Sequence, residues 1–208
     1  NAVSYPGNGA TTWNDISGAA KTATNAAGVS YNTAASGSMY YNGTATGYTD
    51  FSFNLNSAST ITVEMWVYPT TLSGGMFFGF NQFDLWTNAG ALGFNSAMGD
   101  QFGINASQVS SLGLLNNWKH YVFVMNAGSY LSNKIYVNGV SQSLSQISAS
   151  QSTANVNFNG GVGRIGCWIV NTNYSQAMYS SYFKVYSREL TQAEITNKFN
   201  KTKARHGL

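Results

Sequence analysis

Carboxylates are the side chains of this sequence best suited to catalysis, because hydrolysis of a glycosidic bond normally uses two of them. A retaining mechanism places the two carboxyl groups about 5 Å apart. Seven carboxylates are present in the 208 residues: Asp15, Asp50, Glu64, Asp84, Asp100, Glu189 and Glu194. No predicted strand carries two of them at a spacing of two or four residues. We therefore expect a protein that is not an enzyme, with Glu64 held by a neighbouring hydroxyl or cation.

Nucleophilic catalysis is not indicated either. His120 lies in a predicted strand and His206 in the terminal tail, and neither has a serine or cysteine partner that the sequence makes evident. Cys167 is the single cysteine, which excludes an intrachain disulfide. Its apolar neighbours predict that Cys167 is a small buried side chain.

Aromatic side chains followed closely by amides indicate a second kind of chemistry, the binding of sugars. Pyranose rings stack on exposed aromatic rings, and amide groups orient the hydroxyls. Two segments have this composition, and they supply the candidate ligand-binding residues Trp86, Asn88, Trp168, Asn171, Asn173 and Tyr174. The alternative is that Trp86 and Trp168 belong to the core.

Calcium is the cofactor that the sequence leaves open. Calcium takes six to eight oxygen ligands, usually including two or more carboxylates. Asp84 and Asp100 lie in adjacent strand–loop regions, and they could converge with Asn95. Nothing resembles the loop of an EF-hand, so these three residues are weak metal candidates.

The composition favours one domain over residues 1–208, with a polar surface that carries few charges. The hydrophobic fraction is 43%, and charged residues make up 8%, against about 25% in ordinary globular domains. A surface of this kind is typical of extracellular, virion-borne or sugar-facing proteins. No apolar run is long enough to cross a membrane, so no membrane insertion is expected.

The net charge of +3 comes from the end of the chain. The last eleven residues hold Lys198, Lys201, Lys203 and Arg205, which leaves six bases against seven acids elsewhere. The body of the domain therefore has no basic face for nucleic acid. The basic tail is explained either by cations at a helix C-terminus or by phosphate binding.

Short alternating segments between turn residues predict an antiparallel β protein. Residues 60–68 place Ile61 and Val63 on one face of a strand and Glu64 and Trp66 on the other. Residues 38–41, 50–55, 76–80, 83–87, 91–94, 120–125, 134–138, 164–170 and 178–186 are further strand candidates. Residues 141–152, rich in Ser, Gln and Ala, predict a surface loop.

One helix is predicted, over residues 192–202. Thr191 and Glu194 form a capping box, and Leu190 before the cap can pack on Ile195 as a hydrophobic staple. Ile195 and Phe199 share a face, which we expect to lie against the sandwich.

Four blocks together resemble the concanavalin A-like lectin/glucanase superfamily in its laminin-G-like branch. They are SYPGNGATTWNDISG, TITVEMWVYP, the hairpin W-K-H-Y…Y-V-N-G and the closing block that contains V-Y-S-R-E-L-T-Q-A-E-I, at residues 4–18, 60–69, 118–139 and 181–195. The resemblance implies an all-β, two-sheet antiparallel jelly-roll sandwich with one short C-terminal helix. It also implies packing roles for Trp13, Trp66, Trp118 and His120, and an ion-pair role for Arg188.

The resemblance extends to modules of phage structural proteins and bacterial surface proteins. It implies a non-catalytic carbohydrate-binding or adhesion module on a virion or cell surface, with a glycan as partner. A purely structural virion decoration protein without a glycan ligand is the first alternative, and a divergent glycoside hydrolase is the second. Other virion or surface protein subunits and a homo-oligomer are further partners that it allows.

Relatives usually have a strand just before the first block, whereas this sequence starts at Asn1 within that block. We therefore expect the C-terminal module of a longer chain, without its first strand. An unpaired edge would then lie beside the closing strand. An intact-mass measurement that matches 208 residues would contradict the longer chain.

Overall fold

The computed structural model describes residues 4–5, 7, 9–33, 37–52, 55, 58–81, 83–96, 99–149 and 161–208. Its strands, numbered β1 to β16 in chain order, form two antiparallel sheets. In spatial order, the first sheet contains β1 (Thr12–Trp13), β2 (Ala23–Asn25), β5 (Thr49–Ser52), β15 (Val162–Ile165), β7 (Met76–Gly79), β8 (Asp84–Asn88), β9 (Ala91–Asn95), β10 (Gln101–Ile104) and β14 (Ser145–Ser148). The second contains β13 (Val140–Ser141), β12 (Lys134–Val137), β11 (Lys119–Asn126), β6 (Thr60–Pro69), β16 (Ala177–Tyr186), β4 (Ser38–Asn42) and β3 (Val29–Asn32).

Two α-helices and three short 3₁₀ segments complete the described chain. Helix α1 spans Ala106–Ser111 and helix α2 spans Gln192–Thr202. The 3₁₀ segments are Tyr130–Ser132, Thr172–Tyr174 and Lys203–His206. None of the described helices is long and apolar enough to cross a membrane.

The core fills the space between the sheets, which confirms the predicted jelly-roll sandwich. Ile61 and Val63 of β6 are fully buried in it, as the alternation of residues 60–68 predicts. The ring of Phe123 on β11 lies 5.7 Å from that of Phe78 and 6.3 Å from that of Phe94, so aromatic side chains of the two sheets meet directly.

Helix α2 covers the outer face of the second sheet. Its bounds are those predicted, and Thr191 and Glu194 form the expected capping box. Leu190 and Ile195 are buried together against Val122 and Val124 of β11. Strand β6 is therefore buried on both faces, because one side chain in two faces the core and the next faces the helix.

Trp66 of β6 joins the sheet to the end of the chain. Its indole nitrogen donates to Thr202 Oγ1 at 2.9 Å. The ring centroid lies 6.0 Å from that of Phe199 and 4.0 Å from that of His206, which stacks on the indole. Trp66 thus has the packing role predicted for it, and its partners are the C-terminal helix and tail.

Two expectations about secondary structure need correction. The closing strand β16 pairs with β6 on one side and with β4 on the other, so the unpaired edge expected beside it is occupied. Residues 145–148 form strand β14, although the whole of 141–152 was expected to be loop. Strand β14 pairs with β10 through backbone hydrogen bonds. Its sequence, SQIS, lacks the alternation of apolar and polar residues from which a strand is predicted.

Helix α1 was not predicted at all. It has six residues and a capping box from Asn105 and Gln108, but it buries only Val109 and shows no apolar periodicity. Part of the strand expected over residues 50–55 lies outside the residues that the structure describes.

Leu190→Ala tests how much the docking of α2 contributes to stability. Leu190 is 1% exposed, and removing a buried leucine side chain costs about 2–5 kcal/mol of unfolding free energy. Denaturant melts should show that loss. Leu131→Ala is the matched control, because Leu131 is 66% exposed, and it should leave the free energy nearly unchanged. Equal losses in the two variants would contradict the docking role.

Candidate functional site

Strand β8 places a tryptophan and polar side chains on the outer face of the first sheet. Leu85 belongs to the core, so Asp84, Trp86 and Asn88 point the opposite way. Across the strand pair, Trp86 faces Gly93 of β9, where an added Cβ would come within 2.9 Å of the Gln101 side chain. Trp86 is half-buried, and its indole nitrogen donates to the Gly74 carbonyl at 3.3 Å.

A loop over residues 166–176 carries the second tryptophan onto the same face. A Cβ on Gly79 of β7 would come within 2.9 Å of the Trp168 backbone, so only glycine allows this close approach. The Trp168 indole nitrogen donates to the Phe80 carbonyl at 3.2 Å, and the side chain is half-buried. The backbone around Trp168 is thereby seated directly on the sheet.

Gln176 fixes the end of this loop. It is fully buried, accepts a hydrogen bond from Thr87 Oγ1 at 2.9 Å, and donates to the Thr71 carbonyl at 2.7 Å. Near the tip, the Asn171 side chain accepts from the backbone nitrogen of Asn173 at 2.9 Å, which caps the 3₁₀ turn. The loop is thus held by hydrogen bonds at both its base and its tip.

Tyr174 connects the two tryptophans. Its ring centroid lies 6.3 Å from that of Trp86 and 5.7 Å from that of Trp168, both in edge-to-face geometry. We call these three residues the aromatic cluster. All three are half-buried, so neither tryptophan belongs to the core. Asn88, Asn171 and Asn173 lie in the segments that carry the cluster, and Asn173 is exposed. The arrangement offers apolar ring surface and amides to a ligand.

An ion pair beside the cluster was missed at the sequence level. Arg164 of β15 binds both carboxylate oxygens of Asp50, at 2.7 and 3.2 Å, and its guanidinium lies 3.7 Å from the centre of the Tyr48 ring. It also donates to the Trp168 carbonyl at 3.3 Å. The two partners are 114 residues apart in sequence, so no local pattern could reveal the pair.

The three weak metal candidates do converge. Asp84 pairs in register with Asn95, and burial together with the nearby Asp100 charge raises the pKa of Asp84 well above its usual range. Both oxygens of Asp100 accept hydrogen bonds at 2.9 Å, from the backbone and hydroxyl of Ser96. Among the described residues, Asp84 Oδ1 is the carboxylate oxygen of this group left without a partner.

These residues offer calcium far fewer oxygens than it normally takes. In the part of the chain that the structure describes, no three His, Cys, Asp or Glu side chains could hold a metal ion together. We therefore expect EGTA to leave the melting temperature unchanged. An ion that binds only the folded state raises that temperature, so a fall on adding EGTA would show that calcium does bind.

Glu64 is the buried charge beneath α2, on the opposite sheet from the aromatic cluster. Its side chain is 1% exposed, and Oε1 lies 3.0 Å from His120 Nε2. Oε2 accepts from the Tyr186 hydroxyl at 2.6 Å and lies 3.5 Å from Lys198 Nζ. Hydroxyls and a cation therefore hold Glu64, as the sequence predicts, and His120 has the packing position expected of it.

The electrostatics at Glu64 do not suit a general acid. Burial by itself would raise the pKa of Glu64, but hydrogen bonds from His120 and Tyr186, with the charges of His120 and Lys198, hold the pKa below its usual range. A general acid that works near neutral pH needs a raised pKa. Glu194, the other carboxylate near α2, is bound by Arg188 at 2.6 and 2.9 Å, which is the expected ion pair.

His206, in the C-terminal tail, packs against the tryptophans of this region. Its ring lies 4.0 Å from that of Trp66 and 4.7 Å from that of Trp118, and Nε2 is 3.1 Å from Ser181 Oγ. Burial, and then the positive charges of Arg205 and His120, lower the pKa of His206 to about 4. The folded state therefore favours the neutral imidazole.

The stability of the fold should fall as the pH decreases from 6.5 towards about 4, the ordinary and folded pKa values of His206. In this window the unfolded chain binds the proton more tightly, so unfolding is favoured by acid. His206→Phe keeps a ring on Trp66 and removes the titration. Its melting temperature should change less with pH across this window. The same pH dependence in both proteins would contradict this role for His206.

The two sheets, their order and the covering helix define a concanavalin A-like jelly-roll sandwich. The sequence profile of the Laminin_G_3 family, described as the concanavalin A-like lectin/glucanases superfamily, matches residues 42–196. The chain belongs to this family, which confirms the resemblance seen in its sequence. No curated protein sequence matches the chain.

Several solved structures with a similar fold are receptor-binding or ligand-binding domains. The receptor-binding domain of botulinum neurotoxin C/D mosaic serotype has 15% identity and a TM-score of 0.62, over 91% of this chain and 48% of that one. The serotype D ligand-binding domain in complex with N-acetylneuraminic acid has 15% identity and a TM-score of 0.62, over 94% and 49%. The binding domain of Paraclostridial Mosquitocidal Protein 1 has 18% identity and a TM-score of 0.61, over 94% and 51%. The chain thus spans about half the length of these structures, and the similarity at this identity shows the fold.

Proposed function

We propose that this domain is a non-catalytic carbohydrate-binding module whose site is the aromatic cluster. The observation that carries the proposal is that Trp86, Trp168 and Tyr174 are grouped on one outer face, although 88 residues separate the first from the last. Each ring keeps part of its surface in solvent. Partly exposed rings beside amides are the surface on which a pyranose ring stacks.

The rigidity of the site supports the proposal. Trp86 and Trp168 each donate the indole hydrogen to a backbone carbonyl, which fixes the ring orientations before a ligand arrives. Gln176 holds the loop that carries Trp168 and Tyr174. A binding surface that is already ordered loses little conformational entropy when it binds.

The relatives support the same class of ligand. Domains of this fold act as receptor-binding domains in neurotoxins, and one of them was solved with N-acetylneuraminic acid. The low content of charged residues fits an extracellular setting, on a cell surface or a virion. We propose a glycan as the partner there.

A role as a divergent hydrolase is disfavoured by the lowered pKa and saturated hydrogen bonds of Glu64.

Glycan binding is tested on an array that carries neutral and sialylated glycans. The protein should bind a subset of them, and Trp86→Ala or Tyr174→Ala should weaken that binding by about tenfold or more, because an aromatic side chain at the centre of a site contributes about 2 kcal/mol. Titration calorimetry with the best glycan measures the loss.

Tyr40→Ala is the matched control. Tyr40 is a half-buried tyrosine on the second sheet, away from the aromatic cluster, and its ring centroid lies 4.7 Å from that of Tyr179. This variant should bind as the parent does. If no glycan binds the parent at high micromolar concentration, the purely structural role is favoured. If Tyr40→Ala loses as much affinity as Tyr174→Ala, the site is not the aromatic cluster.

A further inference from the structure

A cavity of about 430 Å³ lies between α2 and the outer face of the second sheet, on the far side of the sandwich from the aromatic cluster. Glu64 and Tyr182 contribute to it from the sheet, and Thr202 from the end of the helix. The other lining residues are Lys184, Glu194, Asn197, Lys198 and Lys201. Three lysines and two glutamates therefore face one space.

The two glutamates are already neutralised. Glu194 is bound by Arg188, which lies outside the cavity lining. Glu64 is bound by Lys198, by His120 and by the Tyr186 hydroxyl. With Arg188 included, four basic side chains oppose two carboxylates, which is an excess of two positive charges.

Lys184 and Lys201 carry that excess. Among the described residues, neither ammonium group lies within ion-pair distance of a carboxylate. Lys184 Nζ lies instead over the Tyr182 ring, 4.6 Å from its centre. Burial lowers the pKa of Lys184, and the Lys198 charge lowers it further, although Glu64 opposes the shift. The ammonium groups of Lys184 and Lys198 thus repel each other at the cavity, and an anion placed there would relieve the repulsion.

We propose that this cavity binds a tetrahedral oxyanion, a phosphate or sulfate group, between Lys184 and Lys201. Lysine ammonium groups act as point charges that suit such anions, and the excess of two charges matches a phosphate monoester or inorganic sulfate, whereas a sulfate ester would neutralise one of the two charges. The cavity is larger than the anion alone, so it has room for the small organic group that carries it. This second site is independent of glycan binding at the aromatic cluster.

The proposal is tested by calorimetric titration of the whole chain with inorganic phosphate and with inorganic sulfate, at constant ionic strength. Each should bind at one saturable site. Lys184→Met and Lys201→Met should each weaken binding by about threefold to tenfold, as expected for partly exposed charge-assisted contacts. The double variant should lose saturable binding. Thermal melts check that the variants remain folded.

Lys203→Met is the matched control, because Lys203 is on the same terminal segment but outside the cavity, with its ammonium over the Phe199 ring. It should bind both anions as the parent does, and so should Trp86→Ala. Methyl phosphate and methyl sulfate then show which ester the site prefers. Equal losses from Lys203→Met and Lys201→Met would indicate general charge attraction and overturn the proposal. Failure of both inorganic anions to saturate the parent would overturn it as well.

Discussion

The burial of Glu64 between β6 and α2 is the constraint on which this structure depends. A charge that is 1% exposed must be compensated by partners inside the protein, since so little of its surface is hydrated. Its partners come from β11, β16 and α2, so the carboxylate fixes the positions of three elements that are distant in sequence. The C-terminal helix therefore covers the sheet and also supplies a positive charge, on Lys198, to the buried carboxylate.

This arrangement makes the two outer faces of the sandwich unequal. The second sheet is covered by the helix and tail, which bury Trp66 and Leu190. The first sheet carries a loop that leaves Trp86 and Trp168 partly exposed. The same residue type thus has opposite roles on the two faces, and the difference arises from which segment packs over each face rather than from the tryptophans themselves.

Local pattern in the sequence was sufficient to predict the sandwich and helix α2. The bounds and cap of α2 follow from Thr191, Glu194 and the staple of Leu190. It was also sufficient to select Trp86, Trp168 and Tyr174, because each is near an amide. It could not show that they meet, since that depends on Gly79 allowing the loop to approach the sheet. The pairing of Arg164 with Asp50 and the lysine-lined cavity were missed for the same reason: their members come from separate parts of the chain.

Gln176 has a consequence for how this fold could change over evolution. Its buried amide ties the base of the 166–176 loop to the backbone at Thr71 and to the Thr87 hydroxyl, without using any residue of the loop tip. The tip can therefore be exchanged while its attachment stays constant. Residues of the tip such as Thr172 and Asn173 can thus vary on one scaffold, whereas Trp168 both secures the loop, through Phe80 and Arg164, and keeps part of its side chain in solvent.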